Sequence, residues 1–253
     1  MRYIFAGDRQ IGVNILKGLT ERGFWPLALL LNDEEKASHN AQLRSLVEHL
    51  EIPVIVGDEF KSAHNVALFK KLLPHYIIGI HFPKIIPQEV LHIPQIGFLN
   101  LHPAYLPYNK GWHTPSWAIL QGTPYGATLH FMTEELDSGE IIHQKILPIE
   151  PDDTAHSLYQ KVLMLEEQVF FEALPGLIAL NPPRLKQDSE GTEHKKNDLK
   201  KIQKIELEEK IPAREFINKL RALTTNKWEE AAFFEEGGNR YYIQVTIKKN
   251  GPI

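Results

Sequence analysis

Short apolar runs alternate with helical patterns of apolar residues through the first 180 residues of the chain. The runs are typical of buried strands, and the segments between them keep their apolar residues on one helical face. The pattern predicts strands at 2–7, 25–31, 52–56, 75–80, 96–102, 125–132 and 140–149. It predicts helices at 11–22, 39–50, 64–72 and 115–121, and a last one from Asp153 or Thr154 to about Ala173. This alternation indicates an α/β fold, a Rossmann-like and mostly parallel sheet with helices on both faces.

The pattern changes after residue 180. The turn-rich TEELDSG joins the last two strands of the first part, which are expected to form an antiparallel edge. Residues 181–200 are polar and rich in turn formers, so they are predicted to be a linker. A strand at 201–207, a helix at 212–223 and an aromatic hairpin at 231–247, turning at Gly237-Gly238, follow.

We therefore expect a main α/β domain at 1–180, a linker at 181–200 and a small C-terminal α+β extension at 201–253. About 50 residues bury little apolar surface by themselves. The extension is expected to pack on the main domain or on a second subunit.

Composition removes several classes of protein. The chain has 253 residues and no cysteine, which excludes disulfides and thiolate metal sites and favours a cytoplasmic protein. No run of apolar residues is long enough for a membrane span, and MRYIFAGDRQ does not have the pattern of a signal peptide. The net charge of −4 argues against a nucleic-acid partner.

The glycine loop after the first strand, AGDRQIG, lacks both GxGxxG and the Lys-Ser/Thr of a P-loop. The sequence therefore argues against an enzyme that uses a nicotinamide dinucleotide. Two interpretations of the loop stay open. Free backbone N–H groups and Arg9 could bind a phosphate, or the loop could be an ordinary strand-to-helix connection.

The segment NLHPAYLPYNKG puts polar side chains at the end of a central strand. Asn100 and His102 share one face of that strand, and Pro103 ends it. Open α/β sheets bind ligands at such strand ends. Asp137, in the turn LDSGEI, is close enough in topology to reach the same place. A strand-end capping pair and a simple turn-forming Asp are the alternative interpretations.

Together the three side chains suit acyl transfer without a side-chain nucleophile. An imidazole accepts protons near neutral pH, a carboxamide can donate to an oxyanion, and a carboxylate can orient the imidazole. NLHPAYLPYNKG followed by GATLHFMTEELDSGEII resembles the folate-dependent formyltransferases, over about residues 1–180. The resemblance implies transfer of formyl from N10-formyltetrahydrofolate to an amine, without a metal, with Asn100, His102 and Asp137 as the catalytic set.

The same resemblance implies that the pterin lies against the loop GIHFPKII, with the 132–137 loop closing the pocket. The cofactor-binding candidates are His81, Phe82, Lys84, Ile85, Ile86 and Met132. The alternative is that HFPKII is an ordinary proline-containing loop.

The C-terminal segment HKKNDLKKI…EFINKLRALT…YYIQV and the loop YNKGWHTPSW are similar to those of N-formyltransferases that act on nucleotide-linked amino sugars. This likeness implies a homodimer, with the extension at 201–253 as a dimerisation element. The implied acceptor is dTDP-4-amino-4,6-dideoxyglucose or its 3-amino analogue, for O-antigen or other surface polysaccharide, and UDP and GDP are the alternative nucleotides. The substrate-binding candidates are Arg9, Asn109, Lys110, Trp112 and His113. As alternatives, Trp112 is a core residue and Lys110 is a solvated loop charge.

Other functions compete with this hypothesis. A methionyl-tRNA formyltransferase resembles the chain in its core, but it carries a longer C-terminal domain. Formyltetrahydrofolate hydrolysis would use the same three residues with water as acceptor. A sugar-nucleotide sensor would bind without transfer. A metal hydrolase is suggested only by 12 histidines, which are spread along a chain without HExxH.

Overall fold

The structure, a computed structural model, describes residues 1–187 and 191–251. Residues 188–190 of the predicted linker and 252–253 of the predicted extension lie outside this range. The strands are β1 Tyr3–Gly7, β2 Leu29–Leu31, β3 Val54–Val56, β4 Tyr76–Ile80, β5 Gly97–His102, β6 Lys110–Gly111, β7 Gly126–Phe131, β8 Ile141–Ile146, β9 Glu193–His194, β10 Ala232–Glu236 and β11 Asn239–Ile243.

The predicted helices are present with different ends, the one predicted at 39–50 ends at Ser45, and the short helix at Gln88–Leu91 was not predicted. The helices are α1 Arg9–Glu21, α2 Asn40–Ser45, α3 Ala63–Leu72, α4 Gln88–Leu91, α5 Thr114–Gln121, α6 Ala155–Ile178 and α7 Ala213–Ala222. Short 3-10 helices lie at Gly57–Lys61, Leu199–Ile202 and Trp228–Glu230. Within the described residues, no helix is both long and apolar enough to span a bilayer.

Seven strands form one sheet in the order β3-β2-β1-β4-β5-β7-β8. The first five of the sheet, β1 to β5, pair in parallel, whereas β7 pairs antiparallel with β5. Every residue of β1 and β4 is buried, as expected for parallel strands covered on both faces. The predicted fold class, a mostly parallel α/β sheet with a small C-terminal hairpin, is confirmed.

The long helix α6 begins where the sequence predicts. Thr154 accepts a hydrogen bond from the Ser157 backbone N–H (3.2 Å), and the Ser157 hydroxyl accepts one from the Thr154 N–H (3.0 Å). This reciprocal pair satisfies donors that a helix start leaves open. The helix continues past the expected end at Ala173 and includes Pro175, which still accepts from the Ala179 N–H.

The chain divides into two compact units. The first comprises 1–102, 128–144 and 166–187, and the second comprises 103–127, 145–165 and 188–253. The first unit has a core of buried residues from β1, β2, β4 and α3, with Phe98 of β5 among them. Residues 100, 102 and 137 all belong to this unit.

In the second unit, part of the segment expected to be a linker is paired with the loop before α5. Strand β9 lies parallel to β6, and the Lys110 N–H donates to the Thr192 carbonyl at 2.8 Å. The strand predicted at 201–207 is wrong. A 3-10 helix ends at Ile202, and only Lys204 bridges to Phe233. The three-residue spacing of Leu199, Ile202 and Ile205 explains the difference, because Leu199 and Ile205 are buried in one cluster against which Ile202 packs.

The C-terminal hairpin agrees with its sequence pattern. Strands β10 and β11 pair antiparallel, and Gly237 and Gly238 form the turn with φ of +57° and +78°. Two successive positive φ values define the two-residue turn that glycine adopts without strain.

A buried arginine holds α7 in the second unit. Arg221 donates from Nε to the Asp153 carbonyl (2.7 Å) and from a terminal nitrogen to the Glu150 carbonyl (2.6 Å). Burial lowers the pKa of Arg221. The guanidinium thus satisfies two carbonyls just ahead of α6.

We expect Arg221→Leu to lower the free energy of unfolding by about 1–3 kcal/mol, since the buried Asp153 carbonyl loses its donor and the Glu150 carbonyl loses one of its donors. Urea denaturation followed by circular dichroism measures the change. Arg214→Leu, at an exposed position of the same helix, is the matched control and should change it by less than about 0.5 kcal/mol. Equal effects of the two substitutions would contradict the structural role of Arg221.

Candidate active site

Three side chains from the predicted set meet at the end of β5. The Asn100 Nδ2 donates to Asp137 Oδ1 at 3.3 Å. The His102 Nδ1 lies 3.6 Å from Asp137 Oδ2, a distance at which the attraction is electrostatic rather than a hydrogen bond. The side chains of His102 and Asp137 are both largely buried. Burial in this way strengthens the interaction between an imidazolium and a carboxylate.

A fourth residue, His130, completes the cluster. It lies opposite Asn100 in the β5–β7 register, and its Nε2 is 3.2 Å from Asn100 Nδ2 and 3.6 Å from Asp137 Oδ1. The His130 Nδ1 is 2.8 Å from the Phe131 carbonyl, so Nδ1 carries the proton and Nε2 accepts from the amide. The Asn100 carboxamide is therefore oriented by two acceptors, a carboxylate oxygen and an imidazole nitrogen.

Sequence reasoning did not identify His130. The available signal was a polar pair, Thr128 and His130, two residues apart in an otherwise apolar strand. Its meaning depends on the β5–β7 register, which pairs His102 with Thr128 and Asn100 with His130. Cross-strand partners share a face of the sheet, so both polar residues of β7 lie on the face that carries Asn100 and His102, and His130 contacts the site.

The loop that carries Asp137 is tightly constrained. Asp137 has a left-handed backbone with φ of +47°, which a residue other than glycine adopts at a cost. Gly139 lies so close to β7 that a Cβ atom there would be 1.8 Å from the Phe131 carbonyl oxygen. Only glycine allows this approach, which brings the turn down onto the strand.

The first cofactor candidate, His81, is held by a buried acid. Its backbone is left-handed, with φ of +49°. The His81 Nε2 lies 2.8 Å from Glu166 Oε1, and both side chains are buried. The ring is thus turned toward α6, where Glu166 is its partner.

Lys84 joins the segments that follow β2, β3 and β4. Its Nζ lies 2.8 Å from Asp33 Oδ2 and 3.4 Å from Asp58 Oδ2. Burial disfavours the ammonium form, but the hydrogen bond and charge of Asp33, helped by Asp58, leave the pKa of Lys84 raised. The hydrogen bond from Lys84 lowers the pKa of Asp33 in turn. This ion pair anchors the loop after β4.

The four apolar cofactor-binding candidates differ in how far they are buried. Phe82, Ile86 and Met132 pack against the buried cluster that contains Phe98 and Val90, whereas Ile85 is 87% exposed. A groove of about 590 Å³ also lies in this unit; its lining includes Leu91, Phe98, Met132, Thr133 and Ser138. Of the six cofactor candidates, Met132 lines this groove. The lining contains Gly97 and Phe98 from the start of β5, and Asn100, His102 and Asp137 are not among its residues.

The loop after β1 uses a carboxylate of its own. Arg9 is exposed and has φ of +62°, and its N–H donates to Asp8 Oδ1 at 2.7 Å. The buried Asp8 also accepts from Asn32 Nδ2 and from the backbone and hydroxyl of Ser38. An acid therefore caps the start of α1, which is unfavourable for a phosphate bound there.

The remaining acceptor candidates lie in the second unit. Asn109 is fully buried, and its Nδ2 donates to Thr123 Oγ1 (3.0 Å) and the Pro124 carbonyl (3.3 Å). These bonds give Asn109 a structural role in its loop. Lys110 is half-buried and forms part of β6.

Trp112 and His113 surround a lysine from the C-terminal part. Trp112 is 44% exposed, and the Lys196 Nζ lies 5.1 Å from its ring centroid. The His113 Nε2 is 3.2 Å from the Lys196 carbonyl, and burial lowers the pKa of His113 although Glu230 opposes the shift. Trp112 thus offers an aromatic face beside a cation.

Within 1–187 and 191–251, no three His, Asp or Glu side chains are arranged to hold a metal ion. What the cluster around Asn100 can do is bind and move protons. It combines two imidazoles, one carboxylate and one oriented amide at the end of a strand, where a carbonyl group could be polarised.

Comparison with known proteins gives two family matches. The formyl transferase family matches residues 33–174, and the N-formyltransferase dimerization C-terminal domain matches residues 198–249. The first match contains the whole cluster of Asn100, His102, His130 and Asp137.

Two characterised relatives align over most of the chain. A methionyl-tRNA formyltransferase of Latilactobacillus sakei is 26% identical over 251 residues, which cover 96% of this chain and 77% of that protein. A dTDP-4-amino-4,6-dideoxyglucose formyltransferase of Mycobacterium tuberculosis is 27% identical over 176 residues, 70% of this chain and 74% of that protein.

Solved structures share the fold. A sugar N-formyltransferase from Shewanella superposes with a TM-score of 0.82 at 23% identity, covering 99% of both chains. An N-formyltransferase from Helicobacter canadensis, solved with folinic acid and dTDP-3-aminofucose, gives 0.69 at 24% identity, covering 93% of this chain and 84% of that chain.

The family match extends over more than half of the chain and includes every residue of the cluster. The resemblance found in the sequence is thereby confirmed, as is the expectation of an N-formyltransferase. The chain belongs to the formyl transferase family.

Proposed function

We propose that the protein transfers the formyl group of N10-formyltetrahydrofolate to the amine of a nucleotide-linked amino-dideoxy sugar. The observation that carries the proposal is the cluster itself: Asn100 and His102 lie 3.3 and 3.6 Å from the two oxygens of Asp137. The residue types, their order and their spacing suit transfer of a formyl group between two nitrogen atoms.

In the proposed reaction the neutral amine of the sugar attacks the formyl carbon. A carbon–nitrogen bond forms, the carbonyl oxygen becomes an oxyanion, and the bond from carbon to N10 then breaks. The proton lost by the amine is passed to N10 as tetrahydrofolate leaves. Positioning two bound reactants can supply about 7–11 kcal/mol of the barrier, so no covalent intermediate on the protein is required.

His102 and Asp137 act as a pair in this scheme. The carboxylate lies against Nδ1 and orients the ring, and His102 can then donate to the oxyanion or carry the amine proton. Asn100 is the second donor to the oxyanion. His130 accepts from the Asn100 amide and so sets the plane of that group. The first proton acceptor is either His102 or a water held by Asp137.

For the pterin, we propose the apolar surface that Phe82, Ile86 and Met132 share near Phe98. The groove of about 590 Å³ that Met132 also lines is within the usual size range of small-molecule sites. His81 and Lys84 would act by holding the loop, through Glu166 and through Asp33 and Asp58. Ile85, which is exposed, is available to close over the ligand.

For the nucleotide, the half-exposed Trp112 ring supports stacking of a base, and Lys196, whose Nζ lies over that ring, supports a cation close to the phosphates. The Mycobacterium tuberculosis and Helicobacter canadensis relatives, by their names, act on or bind dTDP-linked amino sugars. We therefore favour dTDP-4-amino-4,6-dideoxyglucose or the 3-amino analogue, in O-antigen or another surface polysaccharide, with a cytoplasmic homodimer as the working form.

The second candidate is formylation of methionyl-tRNA, which the alignment with the Latilactobacillus sakei enzyme favours. Two observations favour the sugar instead. The C-terminal part matches the N-formyltransferase dimerization domain, and the net charge of −4 is unfavourable for a polyanion such as tRNA.

Replacing Asn100 or His102 by Ala should lower kcat by about 100-fold or more, because an oxyanion donor or an acid–base group is lost. The rate is measured as tetrahydrofolate released in the presence of the amino sugar. His64→Ala, an exposed histidine on α3, is the control and should retain full activity. Near-normal turnover of both site variants would remove them from the mechanism.

A panel of acceptors tests the substrate class. With N10-formyltetrahydrofolate, we expect rapid formylation of dTDP-linked 3-amino or 4-amino dideoxyhexoses and no formylation of methionyl-tRNA. Mass spectrometry of each product identifies the formylated amine. Formylation of methionyl-tRNA alone would reverse the assignment, and formate release at full rate without an acceptor would indicate a hydrolase.

The hairpin gives a test of the dimer. Tyr241 and Tyr242 are 45% and 42% exposed, next to Phe233 and Phe234 on the paired strand. Adjacent aromatic residues of this kind are typical of interfaces. Tyr241→Glu combined with Tyr242→Glu should convert a dimer into a monomer in sedimentation velocity, whereas Lys71→Glu, exposed on α3, should not. A wild-type monomer would refute the proposal.

A further inference from the structure

The side chain of Gln187 binds the turn that carries Asp137, about 50 residues earlier in the chain. The Gln187 Nε2 lies 2.8 Å from the Asp137 carbonyl oxygen and 2.7 Å from the Gly139 carbonyl oxygen. A carboxamide nitrogen has two hydrogens, and here each has its own carbonyl acceptor. The two carbonyls also determine which end of the amide faces the turn, since only the nitrogen can donate.

The residues before Gln187 are attached to the same stretch of chain. Leu185 and Ile141 exchange two backbone hydrogen bonds, of 2.7 and 2.9 Å. Arg184 donates to Glu140 Oε2 at 2.8 Å, and its guanidinium lies 3.7 Å from the centroid of the Phe131 ring. We call residues 184–187 the strap. Arg184 contacts Glu140 and Leu185 pairs with Ile141, so the backbone that leads to Gln187 is held beside the start of β8.

The turn has a reason to need such support. Asp137 adopts φ of +47°, and Gly139 lies against the Phe131 carbonyl, so the backbone on both sides of Ser138 is constrained. A left-handed non-glycine residue persists only where its surroundings hold it. The side chain of Asp137 must also stay within 3.3 Å of Asn100 and 3.6 Å of His102.

We propose that Gln187 is a positioning residue for formyl transfer, which holds the Asp137 carboxylate at its working distance by binding the two carbonyls of its turn. The inference rests on the proposed function of Asp137. Gln187 takes no part in proton transfer itself. Its loss would let the turn relax, and misplacement of a catalytic group by about 1 Å can cost on the order of 100-fold in rate.

Two substitutions of Gln187 test whether its two hydrogen bonds to the turn position Asp137. Gln187→Met keeps the length of the side chain and removes both donors, and Gln187→Glu puts a carboxylate against two carbonyl oxygens. We expect kcat to fall about 10- to 100-fold, more for Glu than for Met, while KM for both substrates changes less than about threefold. Gln42→Glu, at an exposed position of α2, is the matched control with unchanged kinetics.

A double-mutant cycle distinguishes positioning from a general structural defect. In an Asp137→Asn background, Gln187→Met should lower kcat by less than about threefold more, because the group it positions has already lost its charge. Multiplication of the two losses, or normal kcat of Gln187→Met in the wild-type background, would overturn the proposal.

Hydrogen exchange gives a readout that does not depend on turnover. Peptides covering residues 133–140 should exchange faster in Gln187→Met than in wild type, while peptides from β1 and α1 are unchanged. Unchanged exchange at 133–140 refutes the proposal that Gln187 holds this turn. A second outcome is that exchange is faster in Gln187→Met while Asp137→Asn retains full kcat. That result refutes the proposed function of Asp137, and with it the role of Gln187 in catalysis.

Discussion

The site depends on one group, the carboxamide of Asn100, being held between two acceptors. Its nitrogen donates to Asp137 Oδ1 and to His130 Nε2, which come from a turn and from the neighbouring strand. Each acceptor is itself fixed. His130 is bound through Nδ1 to the Phe131 carbonyl, and Asp137 lies in a turn that Gly139 brings against that same carbonyl. The backbone of Phe131 is therefore the common support of the imidazole and the carboxylate.

Local sequence patterns were sufficient for the elements that bring these groups together. The apolar run of β5 with Pro103 behind it predicted that Asn100 and His102 end a buried strand, and the DSG turn predicted the return toward β8. The C-terminal hairpin could also be predicted from its sequence, because two successive glycines permit the two positive φ values that its turn needs. In each of these cases the deciding information lies within about ten residues.

Contacts between distant residues were not readable in this way. His130 acquires its role only from the register of an antiparallel pair, and Lys84 only from acids that follow two other strands. Gln187 stands in a polar stretch whose composition indicates a linker, yet its amide binds two carbonyls about 50 residues away. Periodicity reports which face of an element is buried, but not which polar group on another element faces it.

The arrangement also constrains how the proposed reaction can be catalysed. Both hydrogens of the Asn100 amide already have acceptors, so a developing oxyanion must share one of them with His130 or Asp137. His102 differs, because its Nδ1 faces Asp137 and an imidazole has a second nitrogen that can exchange a proton with the reacting groups. In that division of roles, Asn100 shares one amide hydrogen with the oxyanion while it binds Asp137, and His102, oriented by the same carboxylate, carries the proton or donates the second hydrogen bond.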